Sequence, residues 1–153
     1  QGAPSAALSA LQKNSTAAPE DRLRELLERP LPQGREIVRN DKDDGGVMTY
    51  EQLDDGTSIN RTFSAKGELR NEGMYTIGGE EILRSYHDNG RLKALSWVRP
   101  GGTRIDVRLS DAGRLEGRQD TLADGSKIFA KYDETGALRE RVRVFKNGRQ
   151  QRL

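Results

Sequence analysis

The sequence predicts a mainly β fold: an antiparallel meander of tandem 23-residue β-hairpin repeats, about ten strands in one elongated sheet, with a short N-terminal α-helix. Three observations carry this prediction. Glycines recur at Gly56, Gly67, Gly79, Gly90, Gly102, Gly113, Gly125, Gly136 and Gly148 in alternating steps of 11 and 12, so the full period is 23 residues. Several follow a turn former, as in Asp55-Gly56, Asn89-Gly90, Asp124-Gly125 and Asn147-Gly148, the dipeptides expected where a tight hairpin needs positive φ. Side-chain types repeat with the turns: Ile59, Ile82, Ile105 and Ile128, then Phe63, Tyr86, Leu109 and Tyr132, then Leu69, Leu92, Leu115 and Leu138.

From the N-terminus, residues 1–18 are small and polar without sustained periodicity and read as a flexible tether. Residues 19–44 read as a short helix and linker. Pro19 suits a first helical position, Glu20 and Asp21 favour the first turn, Leu23, Leu26 and Leu27 share one face, and Pro30 ends the run. So short a helix is marginal alone, and its leucine face is expected to dock, either on the open end of the array or over an apolar patch described below. Residues 45–153 form the repeat domain. Its strands are expected near 47–53, 57–64, 68–76, 80–87, 91–99, 103–110, 114–122, 126–133, 137–145 and 149–153, each paired with its sequence neighbour. At about 4.8 Å per strand, the array is about 43 Å long if uncoiled.

Of the 153 residues, 33% are hydrophobic and 33% charged, so the core must be thin. A formal charge of +2 is too small to imply attraction to nucleic acid or membrane, but its distribution is uneven. Asp41, Asp43, Asp44, Glu51, Asp54 and Asp55 face only Lys42 in their segment, whereas Arg139, Arg141, Arg143, Lys146, Arg149 and Arg152 face only Glu140. Cysteine is absent, which excludes disulfides and thiolate chemistry. No apolar run approaches the roughly 20 residues that span a bilayer. Gln1 in place of Met fits either signal removal or a trimmed chain, and the stretch from Ala3 to Ala10 suits a tether after an export signal or lipid anchor.

The isoleucine positions and the residues four further on lie on one strand face, the candidate core. The opposite face is expected to be charged and solvated, turning apolar at Met74, Leu83, Leu95 and Trp97. That patch is read either as a docking surface centred on Trp97 or as ordinary core beneath the leucines of 19–29.

No catalytic group is expected. His87 is the only histidine, and Ser85 and Asp88 are too close to it along a strand and turn to form a relay. Asp41, Asp43 and Gly46 have partial calcium-loop spacing, but Gly45 replaces the third ligand and Gln52 the bidentate acid. The glycines are spaced as turns rather than clustered for phosphate, so no metal, nucleotide or other cofactor is expected. The arginines at 139, 141 and 143 alternate onto one face and favour an acidic protein partner or a plain solvated face over nucleic acid, because only Phe145 accompanies them.

The motifs Tyr86-His-Asp-Asn-Gly-Arg-Leu-Lys, Leu109-Ser-Asp-Ala-Gly-Arg-Leu-Glu and Tyr132-Asp-Glu-Thr-Gly-Ala-Leu-Arg resemble the core of the MORN-repeat variant over about residues 45 to 149. They are also similar to tyrosine-aspartate repeats, which rank second because the shells built from those need many more repeats to close; Leu109 in place of an aromatic and Ala137 in place of an arginine depart from both patterns. The resemblance implies a bacterial immunity or antitoxin-like protein that binds and occludes a cognate toxin or secreted effector, in the periplasm or envelope or, alternatively, the cytoplasm. Arg61, Arg84, Trp97, Arg139, Arg141 and Arg143 are the expected partner-binding residues. Rival readings are an envelope scaffold that self-associates through its terminal strands and a repeat protein binding lipid or carbohydrate.

Overall fold

A computed structural model describes residues 19–153; the tether expected over 1–18 lies outside them. The chain divides into two compact units, 1–32 and 33–153. In the first, α1 (Pro19–Glu28) has Glu20 and Asp21 in its first turn and buries Leu23 and Leu26. Arg22 pairs with Glu25 one turn on. No helix among the described residues is long and apolar enough to cross a membrane.

The second unit is one antiparallel sheet of eleven strands in strict sequence order: β1 (Arg35–Asp41), β2 (Val47–Gln52), β3 (Ser58–Phe63), β4 (Leu69–Tyr75), β5 (Glu81–Tyr86), β6 (Leu92–Val98), β7 (Arg104–Leu109), β8 (Leu115–Thr121), β9 (Lys127–Tyr132), β10 (Leu138–Val144) and β11 (Gln150–Arg152). The mainly β meander is therefore present with one strand more than expected. The addition is β1, in the segment read as linker. All seven of its residues are exposed, so it lacks the apolar alternation that marks a half-buried strand. Asp43 and Asp44 belong to the hairpin that joins it to β2, where Asp44 Oδ1 accepts the Gly46 N–H at 2.9 Å.

Every reversal uses the same bonds. In 87–91, Gly90 N–H donates to the His87 carbonyl at 2.9 Å and His87 N–H to the Arg91 carbonyl at 2.8 Å. Among the described residues only glycines have positive φ, with Gly90 at +86°. This is a type I turn closed by a glycine bulge rather than a two-residue mirror turn, which would need positive φ at two positions. The preceding Asn or Asp earns its place through its side chain, for Asn89 Oδ1 accepts the Arg91 N–H at 2.9 Å. On the strand side of alternate turns, the two other repeating columns meet as directly opposed pairs: Phe63 with Leu69, Tyr86 with Leu92, Leu109 with Leu115 and Tyr132 with Leu138.

Register decides the faces. Ile59 stands opposite Met74, Met74 opposite Ile82, Ile82 opposite Trp97 and Trp97 opposite Ile105. Directly opposed residues share a face, so Met74, Trp97 and, one row over, Leu95 belong to the isoleucine face, with Leu83 alone of the four on the other. This corrects the sequence-based placement of that patch. Ile59 and Ile82 are fully buried, and Leu95, Trp97, Ile105 and Val107 nearly so.

Candidate functional site

The isoleucine face also buries charge. One row runs from Thr49 through Arg61, Glu72 and Arg84 to Leu95. Arg61 donates to Glu51 through Nη1 at 2.6 and 2.7 Å and to Glu72 through Nε at 3.0 Å. Arg84 Nε lies 3.3 Å from Glu72 and donates to the Tyr86 hydroxyl at 3.1 Å, and that hydroxyl donates to Glu72. Two acids balance two bases in a buried ladder across β2 to β5. Burial alone would raise the Glu51 carboxyl, but the Arg61 hydrogen bonds, the Gly34 N–H and the Arg61 charge outweigh it and hold Glu51 below the usual carboxylate range. Burial and then the bond to Glu72 push Tyr86 up to about 12.

Three of the expected partner-binding residues are thus enclosed. Arg61 and Arg84 meet on Glu72, and Trp97 is 3% exposed, its indole N–H donating to Glu80 at 3.0 Å and its ring under Arg99. The other three stand on β10. Arg139 falls in a bulge between Leu138 and Glu140, which interrupts the alternation with Arg141 and Arg143. Arg141 is exposed, while Arg143 contacts Asp124 and Ser126 and lies over Phe145. The six do not form one surface. His87 is also committed: its Nε2 donates to the Leu109 carbonyl of the next hairpin at 3.0 Å, alongside Asn89 donating to Asp111 and Arg91 to Ala112. These bonds stitch successive turns together along one edge.

The opposite face holds a groove of about 580 Å³ lined by residues of seven consecutive strands, β3 to β9, a volume typical of ligand sites. For one face of so many strands to border a single cavity, the sheet must curl around it. One row contributes Asn60, Leu83, Ser96, Asp106, Gln119 and Phe129, and its neighbour Asn71, Ser85, Ala94, Arg108, Gly117 and Lys131. Leu83 and Phe129 are 46% and 37% exposed. Elsewhere Asp, Asn and Ser side chains are tied into turns, but those of Asn60, Asn71, Ser85, Ser96 and Gln119 make no hydrogen bond among the described residues. The groove is therefore a strip of donors and acceptors not engaged by the described residues, with exposed apolar side chains at Leu83 and Phe129. Of the six expected residues only Arg84 borders it.

Sequence reasoning missed this site because its polar residues are ordinary in type and converge only through register. One signal was present. Gly73 and Gly117 interrupt strands without turning the chain, as glycine does where something approaches the backbone closely. A Cβ at Gly73 would lie 2.9 Å from Asn60 Oδ1 and 3.1 Å from Leu83 Cδ2. Among the described residues no group of three or more acidic or histidine side chains is placed to hold a metal ion.

No protein-family model matches the chain. The search of curated proteins likewise finds no significant match.

Proposed function

We propose that this chain is a non-catalytic protein-binding module that holds a segment of a partner protein in the groove across β3 to β9. The observation that carries the reading is the convergence of Asn60, Asn71, Ser85, Ser96 and Gln119, whose side chains make no hydrogen bond among the described residues, with exposed Leu83 and Phe129. An Asn or Gln amide offers a donor and an acceptor together, the complement of a peptide group, and the flanking apolar residues supply the anchors that dominate binding energy. His87 is occupied in joining turns, which supports a binding role over acid–base chemistry. The motifs that resemble the MORN-repeat variant extend the proposal: the partner is a cognate toxin or secreted effector whose active site the complex occludes, in the periplasm or envelope. The test is to isolate the partner on immobilised chain, purify it, and titrate its activity. One-to-one inhibition that a Leu83→Asp, Phe129→Asp variant fails to produce supports the reading. Inhibition undiminished in that variant, but lost on Arg139→Glu, Arg141→Glu, moves the interface to β10.

A self-associating scaffold is the second reading, favoured by the outer edge of β1, which no strand pairs among the described residues. Ile37 and Val38 there, with Met48 and Tyr50 on β2, are 41 to 45% exposed, and an unpaired strand edge is a template for another chain. Sedimentation at increasing concentration decides between them: a dimer abolished by Val38→Pro supports the scaffold, and a monomer throughout rules it out.

A further inference from the structure

Four cations border the groove; Arg84 belongs to the buried ladder and Arg118 donates to Asp120 at 2.7 and 2.9 Å, which leaves Arg108 and Lys131. Both carboxylates that border it are already engaged: Arg104 donates to Asp106 from Nε and Nη2 at 2.9 to 3.1 Å, and Glu72 belongs to the buried ladder. Arg108 is not matched in this way. Its nearest ion-pair oxygen is on Glu116 at 3.6 Å, beyond hydrogen-bond range and shared with Arg114, and its side chain is 64% exposed. Lys131 makes no side-chain hydrogen bond or ion pair among the described residues, not even with Glu140 directly opposite on β10. Register sets Gly117 between the two cations, opposite Arg108 on one side and Lys131 on the other. A Cβ at Gly117 would lie 3.1 Å from Arg108 Nη2 and 3.5 Å from its Cζ, so the guanidinium lies across the glycine. The arrangement is a cation, a position without a side chain, and a second cation. The two backbones are about 10 Å apart, two strand spacings, which both long side chains can close upon a group seated between them. A carboxylate fits that gap, since it accepts charge-assisted hydrogen bonds from guanidinium and ammonium alike.

Resting on the groove as the binding site, we infer that the segment it holds is acidic, with an Asp or Glu side-chain carboxylate seated between the Arg108 guanidinium, which lies over Gly117, and Lys131. The probes are a blocked oligoglutamate peptide, the matching oligoglutamine, and oligoglutamine with a free C-terminal carboxylate, each titrated calorimetrically and mapped by backbone-amide NMR on the whole chain. Expected are shifts at Arg108, Gly117 and Lys131 with oligoglutamate, affinity that falls with added salt, and a loss of about tenfold or more in each of Arg108→Gln and Lys131→Gln. An Arg139→Gln, Arg141→Gln variant should bind as the parent does, and unchanged amide spectra away from the groove verify that the variants fold. If oligoglutamine shifts the groove amides with equal affinity, the groove reading stands and the carboxylate inference fails. Should only the free C-terminus bind, a side chain is not the source. When no peptide moves the groove amides, or the shifts map to β10, both fail; a groove answering only to a single-stranded RNA oligonucleotide overturns the protein partner.

Discussion

Replacing Arg61 with Met tests whether the buried ladder is a matched set. The change keeps much of the aliphatic bulk but leaves Glu51 and Glu72 without their shared cation. Glu72 retains Arg84 at 3.3 Å and the Tyr86 hydroxyl, whereas Glu51 retains only the Gly34 N–H at 2.9 Å and a long contact from Thr49. Breaking a buried pair from one side costs about 3–5 kcal/mol, a large part of the roughly 5–15 kcal/mol available to a domain. The pH dependence has a definite sign. In the parent, Glu51 is held below the usual range, so its contribution is present above the unfolded value of about 4.3 and lost as pH falls through the folded one. In the variant, burial dominates and raises Glu51, so stability is lost as pH rises above about 4.3 through the new value. The deficit measured by urea unfolding should therefore be largest at neutral pH and shrink toward pH 4 to 5, a window set by about 4.3. A neutral-pH deficit below about 1 kcal/mol, the scale of a solvated surface pair, or one that grows on acidification, would refute the matched-set argument.

Three further tests are simpler. Ile82→Ala, at a fully buried position, should cost about 2–5 kcal/mol in denaturant unfolding, and Ile77→Ala, 72% exposed, no more than about 0.5 kcal/mol. Gly90→Ala meets no atom within 4 Å but carries φ of +86°, so it should lose about 1–2 kcal/mol with the groove intact. Gly73→Ala has no such strain, yet displaces Asn60 and Leu83 and should change peptide binding more than stability. In a near-ultraviolet alkaline titration, one tyrosine should ionise late, near 12, and that step should vanish in Tyr86→Phe. Because its folded value is raised, the stability it contributes is fully present below about 10 and fades as pH climbs from there toward 12.

The repeat was legible because each turn needs positive φ that only glycine supplies cheaply, so backbone necessity is written as spacing. The isoleucine column was legible because alternation within one strand is a local property. Placing Met74, Leu95 and Trp97 required parity across hairpins, which local alternation does not contain. On β3 the core residues are odd-numbered, Ile59 and Arg61; on β4 they are even, Glu72 and Met74; on β6 they are odd again, Leu95 and Trp97. The turn bulges set these changes, and Arg61 and Arg84 entered the core unannounced for the same reason, as charged residues that read like surface until Glu72 stands between them. β1 escaped notice because nothing along its length is buried.

The ladder and the groove are linked through register. A one-residue slip exchanges the two faces of a strand, which at β3 and β5 would turn Arg61 and Arg84 toward the groove and bury Asn60 and Leu83 or Ser85. Apolar core alone resists this weakly at β4, where Gly73 and Met74 are neighbours and offer little contrast beyond one side chain. The Glu51–Arg61–Glu72–Arg84 sequence resists it strongly, because any slip leaves several charges unpaired. Buried ion pairs are often no more stabilising than apolar residues of similar size, and their best-attested use is to specify register. Substituting all four together, Glu51→Leu, Arg61→Met, Glu72→Leu and Arg84→Met, should accordingly recover most of the stability that Arg61→Met alone removes. The same variant should show more than one set of backbone amide resonances for β2 to β5, together with weakened binding in the groove. A single set of resonances, the parent's strand pairings and full binding would mean that turn geometry alone fixes the register and that the ladder serves only to satisfy its own charges.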